Sequence, residues 1–417
     1  MSPQPTAPNS PAQNSPAPSP GTTRAPHGPL LVVMLGLVTA IGPLSLDMYL
    51  PAFPAIAADL HVQPTSVQLS LTTCLIGLAL GQLVCGPLSD RWGRRRPMLL
   101  GVGAYAVCSL LCALAPSAPL LAGTRLLQGF AGGVGVVVAR AIVRDLYSGV
   151  EAAKFFSQLT LIFGVAPIAA PLLGSAVLKV TSWHGIFVVL GVIAALLTAL
   201  LAWRMPETLP EDRRSPGGLR DTARTARSLL ADRVYVGYTL AQSFVFAAMF
   251  SYLSGSPFVF QDGYGMSPTL FSVLFGVNAC ALIGLSQANG RLLDRFAPRG
   301  LLRTALVTQA LAGVLVLVAA LLGALIALAA GLFVMVGVIG MVMPNATALA
   351  LDRHPDRAGT AAAVMGGIQS VIAALAAPLV GLSDPGKGVP MAAAVLTFAV
   401  AALLAMLLLT VQSRRTT

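Results

Sequence analysis

The sequence predicts an all-α membrane protein of twelve transmembrane helices, arranged as two six-helix repeats. Three observations predict this fold class. Hydrophobic residues make up 56% of the 417 residues and charged residues only 10%, whereas soluble proteins carry about 25% charged residues. Twelve apolar runs have the length of about 20 residues that a helix needs to cross a bilayer. A basic motif also recurs at the same place in each half of the chain.

Each apolar run is predicted to be a helix, because a helix satisfies its backbone hydrogen bonds within one membrane-spanning segment. The polar, arginine-rich residues 204–233 form the longest interruption and divide the runs six and six. The predicted spans are residues 30–52, 67–88, 97–115, 119–140, 155–178, 184–203, 234–256, 270–291, 302–321, 324–349, 359–382 and 390–411.

This division predicts five segments along the chain. The first is proline-rich and is predicted to be disordered, since its composition cannot build a packed core. The segments are a cytoplasmic tail over 1–29, an N-terminal six-helix bundle over 30–203, a cytoplasmic linker over 204–233, a C-terminal six-helix bundle over 234–411 and a cytoplasmic tail over 412–417.

The basic residues predict the orientation in the membrane. If the N-terminus lies inside, 23 of the 26 Lys and Arg residues fall in inner segments, two in outer loops, and Arg125 within a span. Cytoplasmic loops of membrane proteins carry such an excess, so both termini are predicted to be cytoplasmic. The basic residues lie in the short gaps between apolar runs and do not line one face of the protein. The net charge of +11 therefore does not indicate nucleic-acid binding. The five cysteines form no metal-binding pattern.

The repeat is visible in two loop sequences. "GPLSDRWGRRR" (86–96) follows span two, and "GRLLDRFAPRG" (290–300) follows span eight, 204 residues later. Both contain Gly-x-x-x-Asp-Arg before further arginines. Two related halves joined by a linker are typical of alternating-access transporters, whose site lies between the halves near the membrane midplane.

Two residues are predicted to be charged deep within spans, Asp47 in span one and Arg125 in span four. A carboxylate at that depth costs roughly 2.5–3.5 kcal/mol on insertion scales. Their depths from the predicted outer side match, so the sequence predicts an ion pair between them. That pair would be either a fixed salt bridge or a proton site, with Asp47 titrating and Arg125 tuning it. Shifting Asp47 by the repeat offset of 204 residues gives Ser251, an uncharged residue, as its counterpart in the second half. Proton coupling is therefore predicted to reside in the N-terminal half.

The loop after span two is predicted to act as a conformational latch. Gly93 permits a tight turn, and Asp90 is predicted to meet the positive N-terminus of a neighbouring helix. A run of positive-inside charge alone would explain the arginines but neither of these two residues. The predicted latch comprises Gly86, Asp90, Arg91, Gly93 and Arg94.

Small and bend-forming residues mark two further spans. Gly129 and Gly133 in span four form a small-xxx-small pair that permits close helix approach. Pro167 and Pro171 in span five, followed by Gly174, predict a bent helix suited to movement. The predicted cavity residues, each more typical of packing than of ligand contact when taken alone, are Tyr49, Gln128, Gln158, Gln242, Phe246, Phe250, Asn278, Asn345 and Gln369.

The motifs together resemble a known family. Twelve spans with "GPLSDRWGRRR" after span two look like the major facilitator superfamily. "LDMYLPAFP" in span one, "RLLQGFAGGVG" in span four and "SGSPFVFQDGYGMSP" after span seven narrow the resemblance to the Bcr/CflA drug:proton antiporters. The resemblance covers about residues 30–411. Span five departs slightly, because Ala170 and Ser175 stand where the antiporter pattern has glycines.

The resemblance implies roles for the residues named above. Asp47 would be the span-one acid, Arg125 the span-four arginine of proton coupling, and Asp90 to Arg94 the loop that closes the cytoplasmic side. It implies export of chloramphenicol, florfenicol or bicyclomycin-like drugs from the bacterial inner membrane, driven by the proton gradient without a cofactor, by a monomer.

Two other functions are weighed against this one. A proton symporter that imports a metabolite would use the same fold and carboxylate, with only the direction of coupling changed. A membrane enzyme or receptor is disfavoured, because no histidine lies mid-span, no HExxH or GxSxG motif occurs, and no large soluble domain is present.

Overall fold

The computed structural model describes residues 29–147, 149–211, 214, 226–354, 357–380 and 388–410. These residues form helices and no strand. The helices are α1 (Pro29–Asp47), α2 (Phe53–Asp59), α3 (Pro64–Trp92), α4 (Arg95–Ala113), α5 (Ala118–Leu146), α6 (Gly149–Leu178), α7 (Trp183–Arg204), α8 (Arg233–Phe258), α9 (Pro268–Leu292), α10 (Pro298–Leu322), α11 (Leu325–Leu351), α12 (Ala358–Val380) and α13 (Val389–Leu409).

All twelve predicted spans coincide with long helices. Within the described residues, ten helical segments are long and apolar enough to cross a membrane. The described parts of α6 and α12 add two shorter apolar helices, Gly164–Leu178 and Thr360–Ala376. The predicted fold class, an all-α membrane protein, is confirmed.

The helix packing repeats between the two halves. In the first half α1 packs against α6, α3 against α5, and α4 against α5 and α7. In the second half the corresponding helices make the corresponding pairs: α8 with α12, α9 with α11, and α10 with α11 and α13. The halves meet where α6 packs against α9 and α3 against α12. The chain therefore uses one six-helix unit twice, as the repeated loop motif predicts.

Glycines bring α3 and α5 into backbone contact. A Cβ added at Gly129 would overlap the carbonyl oxygen of Cys74, and one at Gly133 would overlap that of Leu78. Gly77 of α3 lies equally close to the Leu126 carbonyl of α5. The close approach predicted for Gly129 and Gly133 is confirmed, and α3 contributes glycines of its own to the same contact.

The first span is longer than predicted. The span was predicted to end at residue 52, but the chain continues as a 3-10 turn (Leu50–Ala52) and then as α2 to Asp59. Pro51 and Pro54 lie in the first turns of these elements, where a missing backbone N–H breaks no intrahelical hydrogen bond. Proline here begins a new helical segment and leaves a break within the span.

The boundaries between the halves fall near the predicted positions. α7 ends at Arg204, and α8 begins at Arg233 with Asp232 as its N-cap, accepting from the Val234 and Tyr235 backbone N–H groups. The predicted tails, apart from Pro29, and residues 212–213 and 215–225 of the predicted linker lie outside the described residues, so the domain limits drawn there stay predictions.

Candidate functional site

Asp47 is the last residue of α1, at the break in the first span. Its side chain is 6% exposed. It lies twelve residues before Asp59, the end of α2, which corresponds to roughly 18 Å of helix at 1.5 Å per residue. Asp47 is therefore deeper in the membrane than it would be if the first span ended at residue 52, as predicted. The carbonyl end of a helix disfavours a negative charge, so nothing in α1 itself stabilises an ionised Asp47.

Arg125 of α5 is fully buried among neutral groups. Its Nη2 donates to the carbonyl oxygen of Ser45 at 2.7 Å, and its Nη1 donates to Gln128 Oε1 at 2.5 Å. The guanidinium carbon lies 4.2 Å from the centre of the Tyr49 ring and 5.6 Å from that of Phe187. A guanidinium matches this set because its planar fork can donate in several directions and stack on a ring.

The predicted ion pair between Asp47 and Arg125 is wrong for this conformation. Among the described residues, neither side chain takes part in a salt bridge. Arg125 binds the face of the first span that carries Ser45 and Tyr49. Residues two apart on a helix do not share a face, so Asp47, midway between them, points away from Arg125. A fixed Asp47–Arg125 salt bridge is excluded here on the same geometry.

Hydroxyl groups of neighbouring residues hydrogen-bond to the Arg125 partners and hold them in place. Ser45 Oγ and Tyr105 OH are 2.6 Å apart, and Gln128 Nε2 donates to Ser109 Oγ at 2.7 Å. Tyr49 OH lies 3.2 Å from Ser70 Oγ. Sequence reasoning missed Ser45, Tyr105 and Ser109, although Tyr105 and Ser109 are polar residues one turn apart within an apolar span. Tyr49 and Gln128, predicted to line a cavity, are fully buried and bind Arg125.

On its other side Asp47 faces the C-terminal half. The 3-10 turn that follows Asp47 packs against α8, which carries Tyr252, and no described residue donates a hydrogen bond to Asp47. Tyr252 OH accepts from Asn278 Nδ2 of α9 at 2.9 Å. The Tyr252 ring stacks on Phe275 with 5.7 Å between centres. Asn278, a predicted cavity residue, therefore positions a tyrosine that the sequence analysis did not identify.

Most of the remaining predicted cavity residues gather within the C-terminal half. Gln242 Nε2 donates to Gln369 Oε1 at 2.8 Å, and Thr347 donates to Gln242 Oε1 at 2.8 Å. Phe246 and Phe250 pack with ring centres 5.0 Å apart. The structure brings these four predicted residues near one another on α8 and α12.

Two predicted cavity residues lie apart from that group. Asn345 Nδ2 donates to Asn289 Oδ1 at 2.6 Å and to the Met341 carbonyl at 2.8 Å, so its amide joins α11 to α9. Gln158 of α6 is exposed.

The proline-marked helix α6 packs against the break in the first span. Pro167 and Pro171 lie inside a continuous α6. A Cβ added at Gly174 would overlap the carbonyl oxygen of Met48, the residue after Asp47. The Pro171 carbonyl accepts from Ser272 of α9 at 2.9 Å, which joins the two halves. Gly174 thus permits the contact between α6 and the break beside Asp47.

Arg94 is the centre of the predicted latch loop. It donates to Asp90 Oδ1 at 2.6 Å, to Ser89 Oγ at 2.7 Å and to Asp145 Oδ2 of α5 at 2.7 Å. The prediction that Asp90 meets a helix N-terminus is wrong, because Asp90 pairs with Arg94. Gly86 and Arg91 have no such contacts: Gly86 lies at ordinary distance from Val137, and Arg91 is exposed.

Glu207, in the linker, occupies the helix N-terminus instead. It accepts from the backbone N–H groups of Arg94 at 2.7 Å and Arg95 at 3.2 Å, where α4 begins. Burial acts to raise the pKa of Glu207, but the backbone N–H donors outweigh it and hold this pKa below its ordinary value. Because the folded pKa is lowered, this contact stabilises the fold above the ordinary Glu range and weakens as the pH falls.

Gly93→Ala is expected to destabilise this loop more than an ordinary glycine substitution. Gly93 has φ +86°, and an added Cβ would lie 2.5 Å from Glu207 Oε2. Backbone strain of this kind costs about 1–3 kcal/mol, and displacement of Glu207 adds to it. Gly265→Ala is the matched control, with φ +69° and no atom within 4 Å. The thermal midpoint of detergent-purified protein should fall further for Gly93→Ala; equal decreases would mean that Glu207 moves aside freely.

A cleft of about 570 Å³ opens between the halves at the predicted outer end. The N-terminal half contributes Asp59 and Trp183, and the C-terminal half contributes Gln261 and Asp262. Trp183 Nε1 donates to Asp59 Oδ2 at 2.9 Å. Below the cleft, Gln68 Nε2 donates to the Ser254 carbonyl at 3.1 Å, and this bond joins the two halves. The Gln68–Ser254 contact holds the halves together below the cleft, on the predicted outer side.

Metal binding has no support in the described part of the chain, where no cluster of three or more His, Cys, Asp or Glu side chains could hold an ion.

Comparison with known proteins places this geometry in a family context. The sequence profile of the Major Facilitator Superfamily matches residues 35–378. The chain is 43% identical to the MFS-type transporter YdgK of Bacillus subtilis, over 89% of this chain and 92% of that one. It is 34% identical to a bicyclomycin resistance protein homolog of Haemophilus influenzae, over 87% and 91%. A bacterial homolog of the lysosomal transporter Spinster shares the fold, with TM-score 0.73 at 16% identity, over 94% and 96%.

Proposed function

Because this chain belongs to the Major Facilitator Superfamily and is a transporter rather than an enzyme, we propose that it exports small amphipathic antibiotics in exchange for protons. Chloramphenicol, florfenicol and bicyclomycin are the proposed substrates. The name of the Haemophilus relative and the resemblance to the Bcr/CflA group support this substrate class.

The burial of the Asp47 carboxyl group is the observation that supports proton coupling. Its carboxyl group is buried at the interface of the halves, and no described residue pairs with it or donates a hydrogen bond to it. An ionised carboxylate in such a place is costly, whereas a protonated one is not. A group with this property binds a proton from the side where protons are abundant and releases it where a stabilising partner or water is available.

Arg125 has a positioning role in this proposal. Its bonds to Ser45 and Gln128 hold one face of α1 against α5 and thereby present Asp47 on the opposite face. Arg125 itself stays charged, because a guanidinium does not lose its proton in proteins. The resemblance assigns both residues to proton coupling. In this proposal Asp47 binds the proton, and Arg125 holds α1 in position.

The transport cycle follows from the repeated halves. Substrate enters from the cytoplasm and binds among Gln242, Phe246, Phe250 and Gln369, while the contacts at the outer side are closed. The halves then rock about the site, the outer contacts part, and a proton replaces the substrate. The loop around Arg94 and Glu207 biases which side is open. The proton gradient supplies the energy, with about 2.3 kcal/mol per charge moved through 100 mV.

The proposal extends to the membrane location, the orientation and the oligomeric state of the protein. The chain is a multi-pass membrane protein, proposed to lie in the bacterial inner membrane with both termini in the cytoplasm, as the basic loops indicate. It is proposed to work as a monomer, with protons and drug-like molecules as its partners, surrounded by lipid and independent of nucleic acid.

Drug-induced proton release in everted membrane vesicles tests the proposal. Respiration acidifies the vesicle lumen, and chloramphenicol, florfenicol or bicyclomycin is then added. One of them should collapse the pH gradient with the wild-type protein, because drug entering the lumen exchanges for luminal protons. Asp47→Asn should abolish this release, since its amide binds no proton.

Either of two results would overturn this reading. Equal release from wild type and Asp47→Asn would place the proton site elsewhere. Deepening of the gradient on addition of a compound would mean that protons move into the lumen with it, and would favour the proton symporter over the exporter.

A further inference from the structure

The outer contact between the halves contains two side chains at equivalent positions of the repeat. Gln68 is the fifth residue of α3, which begins at Pro64, and Ser272 is the fifth residue of α9, which begins at Pro268. Their offset is 204 residues, the same as between the two loop motifs. Both side chains are fully buried. Each half therefore brings the same position of the six-helix unit to the contact.

Each of these side chains donates a hydrogen bond to a backbone carbonyl of the opposite half. Gln68 Nε2 donates to the Ser254 carbonyl of α8 at 3.1 Å, and Ser272 Oγ donates to the Pro171 carbonyl of α6 at 2.9 Å. A carbonyl oxygen has two lone pairs, so it can accept such a bond in addition to a helical one. Between described residues, no salt bridge joins the halves. Both hydrogen bonds break when the halves separate on the outer side.

The two positions differ in how well their polar atoms are satisfied. The Ser272 hydroxyl also donates to the Pro268 carbonyl, one turn back on its own helix, at 2.8 Å. It gains a second acceptor when the halves meet and keeps the first when they part. The Gln68 amide has a second polar atom, Oε1, which is buried without a hydrogen-bond donor among the described residues. Once the halves separate, water can solvate that oxygen.

The balance of these terms has a different sign at each position. A neutral hydrogen bond contributes a small net stabilisation, whereas a buried acceptor without a partner generally costs more than one such bond contributes. Closure of the outer side therefore gains from Ser272, whose hydroxyl loses nothing. It is opposed by Gln68, whose amide gains one bond and leaves one oxygen unpaired.

We propose that Gln68 and Ser272 bias the outer contact in opposite directions: Ser272 holds it closed, and Gln68 favours its opening. The inference rests on the alternating-access cycle of the proposed function, and it adds two residues that set the balance between the states of that cycle. Closure has to be reversible for transport, because a state that is favoured too strongly leaves the other one unpopulated. The half-satisfied amide of Gln68 keeps the closed state from being favoured in this way.

Distances between spin labels on the two halves test this bias without drug or proton gradient. The labels are attached to cysteines introduced by Lys179→Cys and Leu322→Cys, at exposed positions at the outer ends of α6 and α10. The full-length protein carries alanine in place of its native cysteines. Pulsed electron paramagnetic resonance in lipid nanodiscs gives the populations with short and long distances, which correspond to the closed and the open outer side.

The two substitutions should shift these populations in opposite directions. Ser272→Ala should lower the closed-to-open ratio about fivefold, the effect of one neutral hydrogen bond. Gln68→Met keeps the length of the side chain and should raise the ratio about fivefold, because it removes the unpaired oxygen together with the bond. The double variant should lie near wild type. If wild type is almost entirely closed, the rise is measured as restored closure in the Ser272→Ala background.

Two matched controls lie within the C-terminal half. Ser243→Ala removes a buried hydroxyl that donates to the Thr239 carbonyl of its own helix. Gln309→Met replaces a fully buried amide, neither of whose polar atoms has a partner among the described residues. Gln309 belongs to α10, which packs against α11 and α13 of the same half. Gln309→Met should raise the thermal midpoint, but neither control should change the distance populations.

The outcomes separate this inference from the proposed function. A lower closed population in both Ser272→Ala and Gln68→Met would mean that both residues hold the contact closed, and would overturn the opposite bias. Unchanged populations, or equal shifts in the controls, would show that neither residue sets the balance. If the shifts occur as expected but no drug releases protons in the vesicle experiment, the bias stands and the exporter proposal is wrong. Proton release without the shifts would support the exporter and overturn the bias.

Discussion

Arg125→Lys is expected to lower the initial rate of drug-induced proton release about a hundredfold, although it keeps the positive charge. Arg125 donates at once to the Ser45 carbonyl and to Gln128 Oε1 while it stacks on Tyr49. A lysine ammonium is a point donor on a flexible stem and cannot reproduce this planar arrangement. Losing one charged hydrogen bond and leaving a buried acceptor unpaired costs about 3 kcal/mol, which corresponds to the hundredfold change.

The measurement is the rate of gradient collapse in everted vesicles at matched protein levels. Arg303→Lys is the control, because Arg303 is exposed on the predicted inner side and the same exchange there should leave the rate unchanged. If Arg125→Lys works as well as this control, a positive charge alone is sufficient and the geometry around Ser45 is irrelevant to transport.

Gly129→Ala is expected to destabilise the folded protein by about 3 kcal/mol, the upper range for overpacking a tight contact. The added methyl group would overlap the Cys74 carbonyl oxygen, a backbone atom that cannot rotate away. α3 and α5 would have to separate along the contact that Gly77 and Gly133 also maintain. Because Gln128, the residue before Gly129, binds Arg125, the damage should extend to transport.

Gly123→Ala provides the comparison on the same helix, since no atom lies within 4 Å of a Cβ there. The thermal midpoint and the fraction of monodisperse protein in detergent should both drop for Gly129→Ala and stay near wild type for Gly123→Ala. Similar midpoints would mean that α3 and α5 are further apart than the structure places them.

The fold followed from sequence because each of its determinants is local. Apolar length predicts a span, basic loops predict orientation, and a motif repeated after 204 residues predicts two equivalent halves. The Gly129 and Gly133 contact was also predictable, since small residues four apart on one helix face have few other uses within a membrane.

The site was less predictable because its contacts join distant parts of the chain. Asp47 and Arg125 were predicted to pair from their depths alone, but pairing also requires the right helix face, and the break before Pro51 moved the end of the span. Glu207 lies over one hundred residues from the α4 N-terminus that it binds.

Trp183 gives the protein a built-in optical reporter. Its indole forms the wall of the outer cleft, bonded to Asp59 and stacked on His184 at 3.7 Å between ring centres. The chain has three tryptophans. The other two, Trp92 and Trp203, are exposed at the C-terminal ends of α3 and α7, far from the outer cleft. With those two replaced by phenylalanine, the emission comes from Trp183 alone. Separation of the halves would wet this indole and shift its fluorescence to the red, so opening could be followed in real time without an attached dye.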